Sequence, residues 1–353
     1  QLGPPPRFLD FLNAYLLPRE GFVRVEGALS DAMELANMVF QGTVLGPPLW
    51  NAFFSDVAQD VPISNQEINL FADDLTVMTY RKQHVSDSIL LNELRDIQRR
   101  THNWGVRNQV EFDPGKEYFK ILHPSLGLGE EFKLLGTLFD VALSMTPCID
   151  AILARVRPKI RALLRLRDMY SVATMLEQYK SHVWGITEYS NGAIILAPPC
   201  QVRRLDKLQR WYLHELGISD QSAFVDHNFA PPSLRRHIGL LGFLHKRVLG
   251  VCHPALCQAL PFGPVNIAAR YHTKHLETFS GEVLCNHRLY ERSLYGFTRV
   301  YNRLPQSLAD CPSVSSLQTR LTHLAKEKAK QGHEDWRRCF QDCHEINGMF
   351  PNS

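Results

Sequence analysis

The chain has 353 residues, of which 44% are hydrophobic, and its formal net charge is +3. This length suffices for two or three domains with their own cores, and no apolar run reaches the ~18 residues of a membrane-spanning helix, so the sequence predicts no membrane span. Residues 1–150 carry 12 Lys/Arg and 20 Asp/Glu, whereas residues 151–353 carry 27 and 16. An acidic half joined to a basic half suits a metal-using site beside a surface that holds a polyanion, although ordinary surface variation explains it equally well.

The first 61 residues carry helix and hairpin signals. Apolar residues recur at helical spacing in PPPRFLDFLNAYLLPRE (4–20), which predicts a helix. The next segment, GFVRVEGALS (21–30), begins with Gly21 and contains Gly27, and it predicts a short hairpin. In QGTVLGPPLWNAFF (41–54), Gly42 and Gly46 allow close backbone approach, and Pro47–Pro48 begin a helix. Such a turn can receive a phosphate or a base pair, and it can equally be a plain connection into a helix.

Two adjacent aspartates, Asp73 and Asp74, interrupt the apolar segment EINLFADDLTVMTY (67–80). The segment predicts a strand, a tight turn and a return strand. Aspartate is common in turns, which is one interpretation of the pair. The other is a metal site, because two carboxylates at a hairpin tip can approach one point, and Mg²⁺ prefers hard oxygen ligands.

The segments that follow predict a long helix and two turns. SDSILLNELRDIQRRTHNWGVRNQ (86–109) begins at a candidate N-cap, Ser86, and is amphipathic through Trp104. VEFDPGKEYFKILH (110–123) and FKLLGTLFDVAL (132–143) predict strands around turns, and the first turn contains Lys116.

From Ala151 onward the pattern is helical and basic. AILARVRPKIRALLRLRD (151–168) is a basic helix that Pro158 begins or kinks, and QVRRLDKLQRWYLHELG (201–217) is another, ended by Gly217. A further N-capped helix with a basic end lies within residues 300–332.

Eight cysteines show no disulfide framework, which favours a reducing compartment. CHPALC (252–257) and CFQDCHEI (339–346) have the spacing of half a zinc site. Neither has a second half at a suitable distance, so buried free thiols are the preferred interpretation.

Taken together, the order of these segments resembles the palm of a non-LTR retrotransposon (LINE-like) reverse transcriptase. QGTVLGP matches the family's Gln-Gly…Leu-Gly-Pro segment, FADD its Ala-Asp-Asp signature, and DPGK after Trp104 its Asn/Asp-x-x-Lys motif. LLGTLFD matches the Leu-Gly primer grip, so the resemblance covers about residues 20–145, and YGFTRVYNRLPQSL (295–308) resembles related retroelement proteins more weakly. The resemblance implies an α+β fold with an antiparallel palm-type sheet and packed helices over 1–145, a helical basic thumb over 146–217 and a helical C-terminal extension over 218–353.

The resemblance also implies roles for single residues. Asp73 and Asp74 would bind two Mg²⁺ ions, with Mn²⁺ as an alternative, and Lys116 would lie near the nucleotide phosphates as a general acid for pyrophosphate, where a solvated turn lysine is the alternative. The binding residues would be Gln41 and Gly42 at the template–nucleotide pair, and Leu135 and Gly136 at the primer end. The residues that would follow the nucleic-acid backbone, unless they form an ordinary solvated helix face, are Arg155, Arg157, Lys159, Arg161 and Arg165.

One element of the family pattern is not found. The third catalytic aspartate of the family lies on an upstream strand, but Asp10 falls inside a predicted helix and Asp31 follows a loop-like segment. The chain starts at Gln1 and shows no signal peptide, which indicates a processed start or a fragment. We therefore expect an N-terminally truncated enzyme that polymerises very slowly or not at all.

The resemblance implies an RNA-directed DNA polymerase that uses an RNA template, a DNA primer and deoxynucleoside triphosphates inside the cell, with the nucleus as the expected location. Two alternatives remain open from the residues. One is a non-catalytic nucleic-acid-binding protein that keeps the palm and the thumb, and the other is an intron maturase-type RNA-binding protein.

Overall fold

The computed structural model describes residues 3–35, 42–61, 66–81, 85–123, 127–264, 271–278 and 287–350. The chain divides into two compact units, Gln1–Phe119 and Lys120–Ser353. The first unit contains the Asp-Asp segment, and the LLGTLFD segment belongs to the second. The predicted division into palm, thumb and extension at residues 145 and 217 stays a prediction.

The first unit combines short antiparallel hairpins with helices. Its described helices are α1 (Pro6–Tyr15), α2 (Gly46–Phe54), α3 (Val57–Asp60) and α4 (Asp87–Asn108), with a 3₁₀ turn at Pro114–Lys116. Its described strands pair antiparallel as β1 (Arg19–Gly21) with β4 (Met33–Leu35), β2 (Arg24–Val25) with β3 (Ala28–Leu29), and β5 (Gln66–Phe71) with β6 (Asp74–Thr79). The helix predicted in residues 4–20, the hairpin in 21–30 and the long helix after Ser86 are confirmed.

The core of the first unit lies between the helices and one face of the β5–β6 hairpin. Its fully or nearly buried side chains are Phe54, Val57, Val61, Ile97 and Trp104. The strands contribute two cross-strand pairs to this core, Ile68 with Val77 and Leu70 with Leu75. Because side chains alternate along a strand, these pairs fix which face of the hairpin is covered and which is open.

The strands predicted around the DPGK turn are wrong. Residues 110–123 contain the 3₁₀ turn at Pro114–Lys116 and no strand. Among the described residues, their one β-type contact is an isolated bridge between Ile121 and Leu128. Pro114 has no N–H to give to a ladder, and the Asp113 carboxylate accepts the N–H of Gly115 at 2.9 Å. A tight local turn therefore replaces the extended pairing.

The second unit is mainly helical. It begins with the hairpin β7 (Phe132–Leu134) and β8 (Thr137–Phe139), which confirms the predicted FKLLGTLF hairpin. The α-helices described after it are α5 (Thr146–Leu164), α6 (Val172–Tyr179), α7 (Gly185–Glu188), α8 (Asn191–Ile194), α9 (Pro199–Glu215), α10 (Asp220–His227), α11 (Pro232–Val248), α12 (Pro254–Ala259), α13 (His287–Arg292), α14 (Leu294–Tyr301), α15 (Gln306–Ala309), α16 (Val314–Lys330) and α17 (Cys343–Met349).

Two hydrophobic clusters stabilise the second unit. One joins α5, α6 and α9 between residues 145 and 229, and β8 packs against it through Leu138 and Phe139. The other joins α10, α11, α14 and α16 between residues 224 and 346. Pro158 lies inside α5, which begins at Thr146, so it does not begin the helix. Gly217 follows the end of α9 with φ +67°, as the predicted helix stop requires.

The cysteine segments differ in burial. Cys339 is fully buried, and burial raises its thiol pKa to about 12. Cys252 and Cys257 are partly exposed, with their Sγ atoms 3.2 Å apart. Over the ranges described above, no cluster of three or more His, Cys, Asp or Glu side chains is arranged to hold a metal ion. In those same ranges, every helix is too short or too polar to span a bilayer.

Candidate active site and nucleic-acid interface

The two aspartates lie at the tip of the β5–β6 hairpin. Strand β5 ends at Phe71, strand β6 begins at Asp74, and these two residues form the closing pair around the turn residues Ala72 and Asp73. Ala72 has φ +53°, the left-handed backbone that primed hairpin turns require. The Trp50 indole N–H donates to the Ala72 carbonyl at 2.8 Å, so α2 holds the tip in place.

Both carboxylates are exposed. Cross-strand partners share a face, so Asp74 and Phe71 lie on the face opposite the core, and Asp73 projects from the turn itself. Burial raises the pKa of Tyr118, and the negative charge of Asp74 raises it further. The tip therefore presents two hard oxygen donor groups on one accessible corner of the first unit.

The predicted general acid is not brought to the aspartates. The Lys116 side chain is 85% exposed, and its Nζ lies 3.4 Å from Oδ2 of Asp113 within the same turn. The turn is anchored by the next residue, Glu117, whose carboxylate accepts from Gln98 and lies 2.7 Å from Nε2 of His102 on α4. The solvated turn lysine is thus the state that the structure shows for Lys116.

The glycine-rich segment is only partly visible, because Gln41 lies outside the described residues. Gly42 has φ +80°, a backbone conformation that favours glycine, and no described residue beyond its chain neighbours lies within 4 Å of where a Cβ would be. Thr43 organises the start of α2, since its Oγ1 accepts from the N–H of Gly46 at 3.2 Å and from the hydroxyl of Tyr15 at 2.7 Å. The link to Tyr15 on α1 carried no signal in the sequence.

The predicted primer grip is a strained turn. Leu135 and Gly136 connect β7 to β8 with φ of +47° and +79°, and leucine is rarely found in this region. The Tyr189 hydroxyl donates to the Leu135 carbonyl at 2.7 Å, and the hydroxyls of Thr137 and Ser190 lie 2.9 Å apart. The connection between α7 and α8 therefore fixes this turn, which sequence reasoning missed because the partners are more than 50 residues apart.

The basic residues predicted to follow a nucleic-acid backbone are all exposed on α5 or directly after it: Arg155, Arg157, Lys159, Arg161 and Arg165. The opposite face of α5 is buried through Ile149, Ile152 and Val156. Arg157 and Arg161 also line a groove of about 340 Å³ that α5 shares with α9. The predicted basic thumb includes α9, but the sequence did not single out the α9 residues that line this groove.

Known relatives define the class to which the chain is similar, namely RNA-directed DNA polymerases of mobile elements. It is 27% identical over 195 residues to the RNA-directed DNA polymerase from mobile element jockey of Drosophila melanogaster, across 50% of this chain and 21% of that protein. It is 28% identical over 237 residues to the probable RNA-directed DNA polymerase from transposon X-element of the same species, across 59% and 26%. The jockey protein of Drosophila funebris is 24% identical over 196 residues, across 50% and 21%.

These matches confirm the predicted similarity to non-LTR retrotransposon reverse transcriptases. The chain spans about a quarter or less of the length of these curated relatives. No family model matches the chain, and no solved structure matches it.

Proposed function

We propose that this chain carries part of the polymerisation site of a retrotransposon RNA-directed DNA polymerase. The reaction is the attack of a primer 3′-hydroxyl on the α-phosphate of a deoxynucleoside triphosphate, directed by an RNA template. The observation that carries the proposal is the exposed Asp73–Asp74 pair at a hairpin tip held by α2. The similar proteins are named as RNA-directed DNA polymerases, which supports this class of reaction. The nucleus is the proposed location.

The donor chemistry of the pair fits Mg²⁺ or Mn²⁺. Carboxylate oxygens are hard ligands, and the exposed position at the tip leaves Asp73 and Asp74 free to share a cation that lowers their mutual repulsion. When bound, a pair of such ions supplies activation of the attacking hydroxyl and stabilisation of the departing pyrophosphate.

The other site residues would act by binding. Among the described residues, nothing beyond its chain neighbours lies within 4 Å of the position of the absent Cβ of Gly42, which would leave room for a base pair. Leu135 and Gly136 would support the primer end through their exposed turn backbone, and Lys116 would reach the nucleotide phosphates by leaving Asp113, with which its contact is weak.

We further propose that this chain alone polymerises slowly. In the part of the chain that the structure describes, no third carboxylate completes a metal-binding cluster with Asp73 and Asp74. Two ligand residues hold a pair of divalent ions less firmly than three, so the full rate would need the third.

Primer extension on an RNA template with Mg²⁺ or Mn²⁺ tests the site assignment. We expect Asp73→Asn and Asp74→Asn each to lower any extension by at least about 100-fold, since each removes a charge that stabilises the transition state. Asp56→Asn, an exposed aspartate of the same unit, is the matched control and should keep the wild-type rate. Extension that survives both tip substitutions would overturn the assignment.

A second measurement does not depend on activity. Fe²⁺ bound in place of Mg²⁺ cuts the nearby backbone when peroxide is added, and the cut should fall around residues 71–75. The cut should disappear in Asp73→Asn/Asp74→Asn and persist in Asp56→Asn. Cleavage elsewhere only would mean that the pair is an ordinary turn.

A non-catalytic nucleic-acid-binding protein is the second candidate function. The exposed basic side chains of α5 favour it, because they serve a polyanion whether or not chemistry occurs. Salt-dependent RNA binding without Mg²⁺-dependent extension would select this function over the first.

A further inference from the structure

We propose that the groove between α5 and α9 binds a single-stranded segment of nucleic acid, with an unpaired base stacked on Trp211. The inference deepens the proposed function, on which it rests, by naming where an unpaired strand would bind. The residues that line the groove are Leu153, Arg157, Arg161, Arg204, Lys207, Leu208 and Trp211.

The groove runs along two helices. Arg157 and Arg161 are one turn apart on α5, and Arg204, Lys207 and Trp211 follow each other at helical spacing on α9. At 1.5 Å per residue, the cations on α5 span about 6 Å and the α9 side about 10 Å. A row of this length can contact successive phosphates of one strand and leave one base beside the indole.

The charge of the groove is largely uncompensated. Among the described residues, Arg157, Arg161 and Lys207 have no carboxylate within ion-pair distance. Arg204 alone is neutralised, by Asp150 at 2.7 Å, and it also donates to Gln201 at 2.7 Å. Cations that line one concave surface repel each other, and a bound polyanion relieves this repulsion. A cleft lined by charges of one sign also concentrates the electrostatic field, which attracts such a polyanion.

Trp211 makes the site more than a cationic surface. Its side chain is 36% exposed, and no ring or cation stacks on it in the ranges that the structure describes, whereas the next residue, Tyr212, is fully buried. Leu153 and Leu208 are nearly buried and form an apolar floor beside the indole. An indole edge or face that opens into a cationic groove is the arrangement with which proteins stack a nucleobase.

The proposed ligand is single-stranded because only an unpaired base can stack on Trp211. The bases of a duplex are already stacked on each other and would present only phosphates to the groove, so the tryptophan would contribute nothing to duplex binding. An acidic peptide would use the cations and leave the indole uncovered. Sequence preference is not expected, since every base has a face that can stack.

Fluorescence anisotropy of the full chain with a labelled 12-nucleotide RNA, and with a duplex of the same sequence, tests the proposal. Trp211→Leu should weaken single-strand binding about 5- to 150-fold and leave the duplex affinity within about twofold, because stacking one base contributes about that factor. An oligonucleotide with abasic sites should bind wild type and Trp211→Leu equally.

A charge variant tests the phosphate contacts independently of the tryptophan. Arg157→Gln/Lys207→Gln should flatten the slope of log Kd against log salt by about 1.4 for the single strand. The matched control is Arg203→Gln/Arg210→Gln, which removes the same charge from exposed positions of α9 outside the groove, and it should change the slope by less than half as much. Circular dichroism and thermal melting confirm that each variant folds.

Three results would overturn the proposal: equal single-strand affinity of Trp211→Leu and wild type, equal effects of the two double variants, or polyglutamate that competes as well as the RNA. Asp73→Asn/Asp74→Asn should bind the RNA as wild type does. Primer extension by the Asp73→Asn/Asp74→Asn variant therefore tests the polymerisation site alone. RNA binding by Trp211→Leu tests the groove alone.

Discussion

The turn that joins β7 to β8 is contacted by an exposed side-chain hydroxyl, that of Tyr189. Tyr189 is 68% exposed, yet its hydroxyl donates to the carbonyl of Leu135, a residue with φ +47°. Backbone strain in an exposed hairpin is more typical of functional turns than of structural ones, because a structural turn has no reason to exclude glycine. Together with the contact between Thr137 and Ser190, the Tyr189 hydroxyl stabilises this conformation of the predicted primer grip.

Tyr189→Phe should loosen this turn with little effect on the rest of the unit. The lost hydrogen bond contributes about 1 kcal/mol, so amide exchange at Gly136 and Thr137 should quicken about fivefold while the exchange of α5 stays unchanged. Tyr170→Phe removes another exposed tyrosine hydroxyl and is the control. Unaltered exchange at Gly136 would show that the turn does not need Tyr189.

Leu135→Gly should separate stability from function at the same position. Leucine in the left-handed region costs about 1 kcal/mol, and its side chain is 41% exposed, so glycine should raise the free energy of unfolding of the second unit by several tenths of a kcal/mol or more. If the turn supports a primer, the same variant should extend primers more slowly. A destabilised variant would mean that the leucine side chain, and not the backbone, decides the turn.

At the scale of elements, α4 joins the helices of the first unit to its hairpin through Trp104. The indole is fully buried, and its ring centroid lies 5.6 Å from that of Phe53 and 5.7 Å from that of Phe54. Few side chains are fully buried in the described part of this unit, so each of them contributes a large share of its stability.

Trp104→Ala should unfold the first unit and spare the second. Truncating a buried tryptophan costs about 3–5 kcal/mol, which is comparable to the whole stability of a small unit. Limited proteolysis should then remove residues 1–119 and leave the second unit intact. Val106→Ala on the same helix, where the valine is 82% exposed, should digest like wild type. Simultaneous digestion of both units would contradict their independence.

What the sequence predicted follows from local physics. The helical spacing of α4 and α5, and the apolar runs on both sides of Asp73 and Asp74, gave the right elements because period and turn chemistry act within a few residues. The prediction of strands around the DPGK turn was wrong because the hydrogen bond from the Gly115 N–H to the Asp113 carboxylate competes with strand pairing.

The features that escaped prediction join distant segments. The bond from Tyr189 to Leu135 and the groove between α5 and α9 each need two elements about 50 residues apart to pack together. Neither helix alone shows that Trp211 and Arg157 line one surface. The predicted site residues stay predictions for the same reason, since Lys116 and the aspartate pair are not in contact within the described residues.

At the scale of the whole molecule, charge is distributed unevenly between the two halves of the chain. The excess of eight carboxylates in residues 1–150 suits cations, and the excess of eleven basic groups in residues 151–353 suits phosphates. The groove on α5 and α9 concentrates the second excess on one surface. Added salt should therefore weaken the proposed nucleic-acid binding far more than it weakens the fold.

The burial of His272 in the second unit predicts a fold that loses stability in acid. His272 is 1% exposed, its Nε2–H donates to the Tyr301 carbonyl at 3.1 Å, and its Nδ1 accepts the N–H of Lys274 at 3.1 Å. Burial lowers its pKa to about 4, while the carbonyl of Tyr301 and the charge of Asp310 oppose this and the neighbouring His275 and Lys274 reinforce it. The neutral ring is thus part of the folded state.

The folded pKa of His272 is below the unfolded value of about 6.5, so its stabilisation is present above pH 6.5 and is lost as the pH falls towards about 4. Between pH 7 and pH 5 the loss from this one ring should be about 2 kcal/mol, because only the unfolded chain gains the proton. Urea unfolding of wild type and His272→Gln should show this loss. The variant should have a lower free energy of unfolding at pH 7, but that free energy should fall by about 2 kcal/mol less between pH 7 and pH 5. His323→Gln, at a solvent-exposed histidine on α16, should keep the wild-type pH dependence, and equal pH slopes in all three proteins would exclude His272 as the cause.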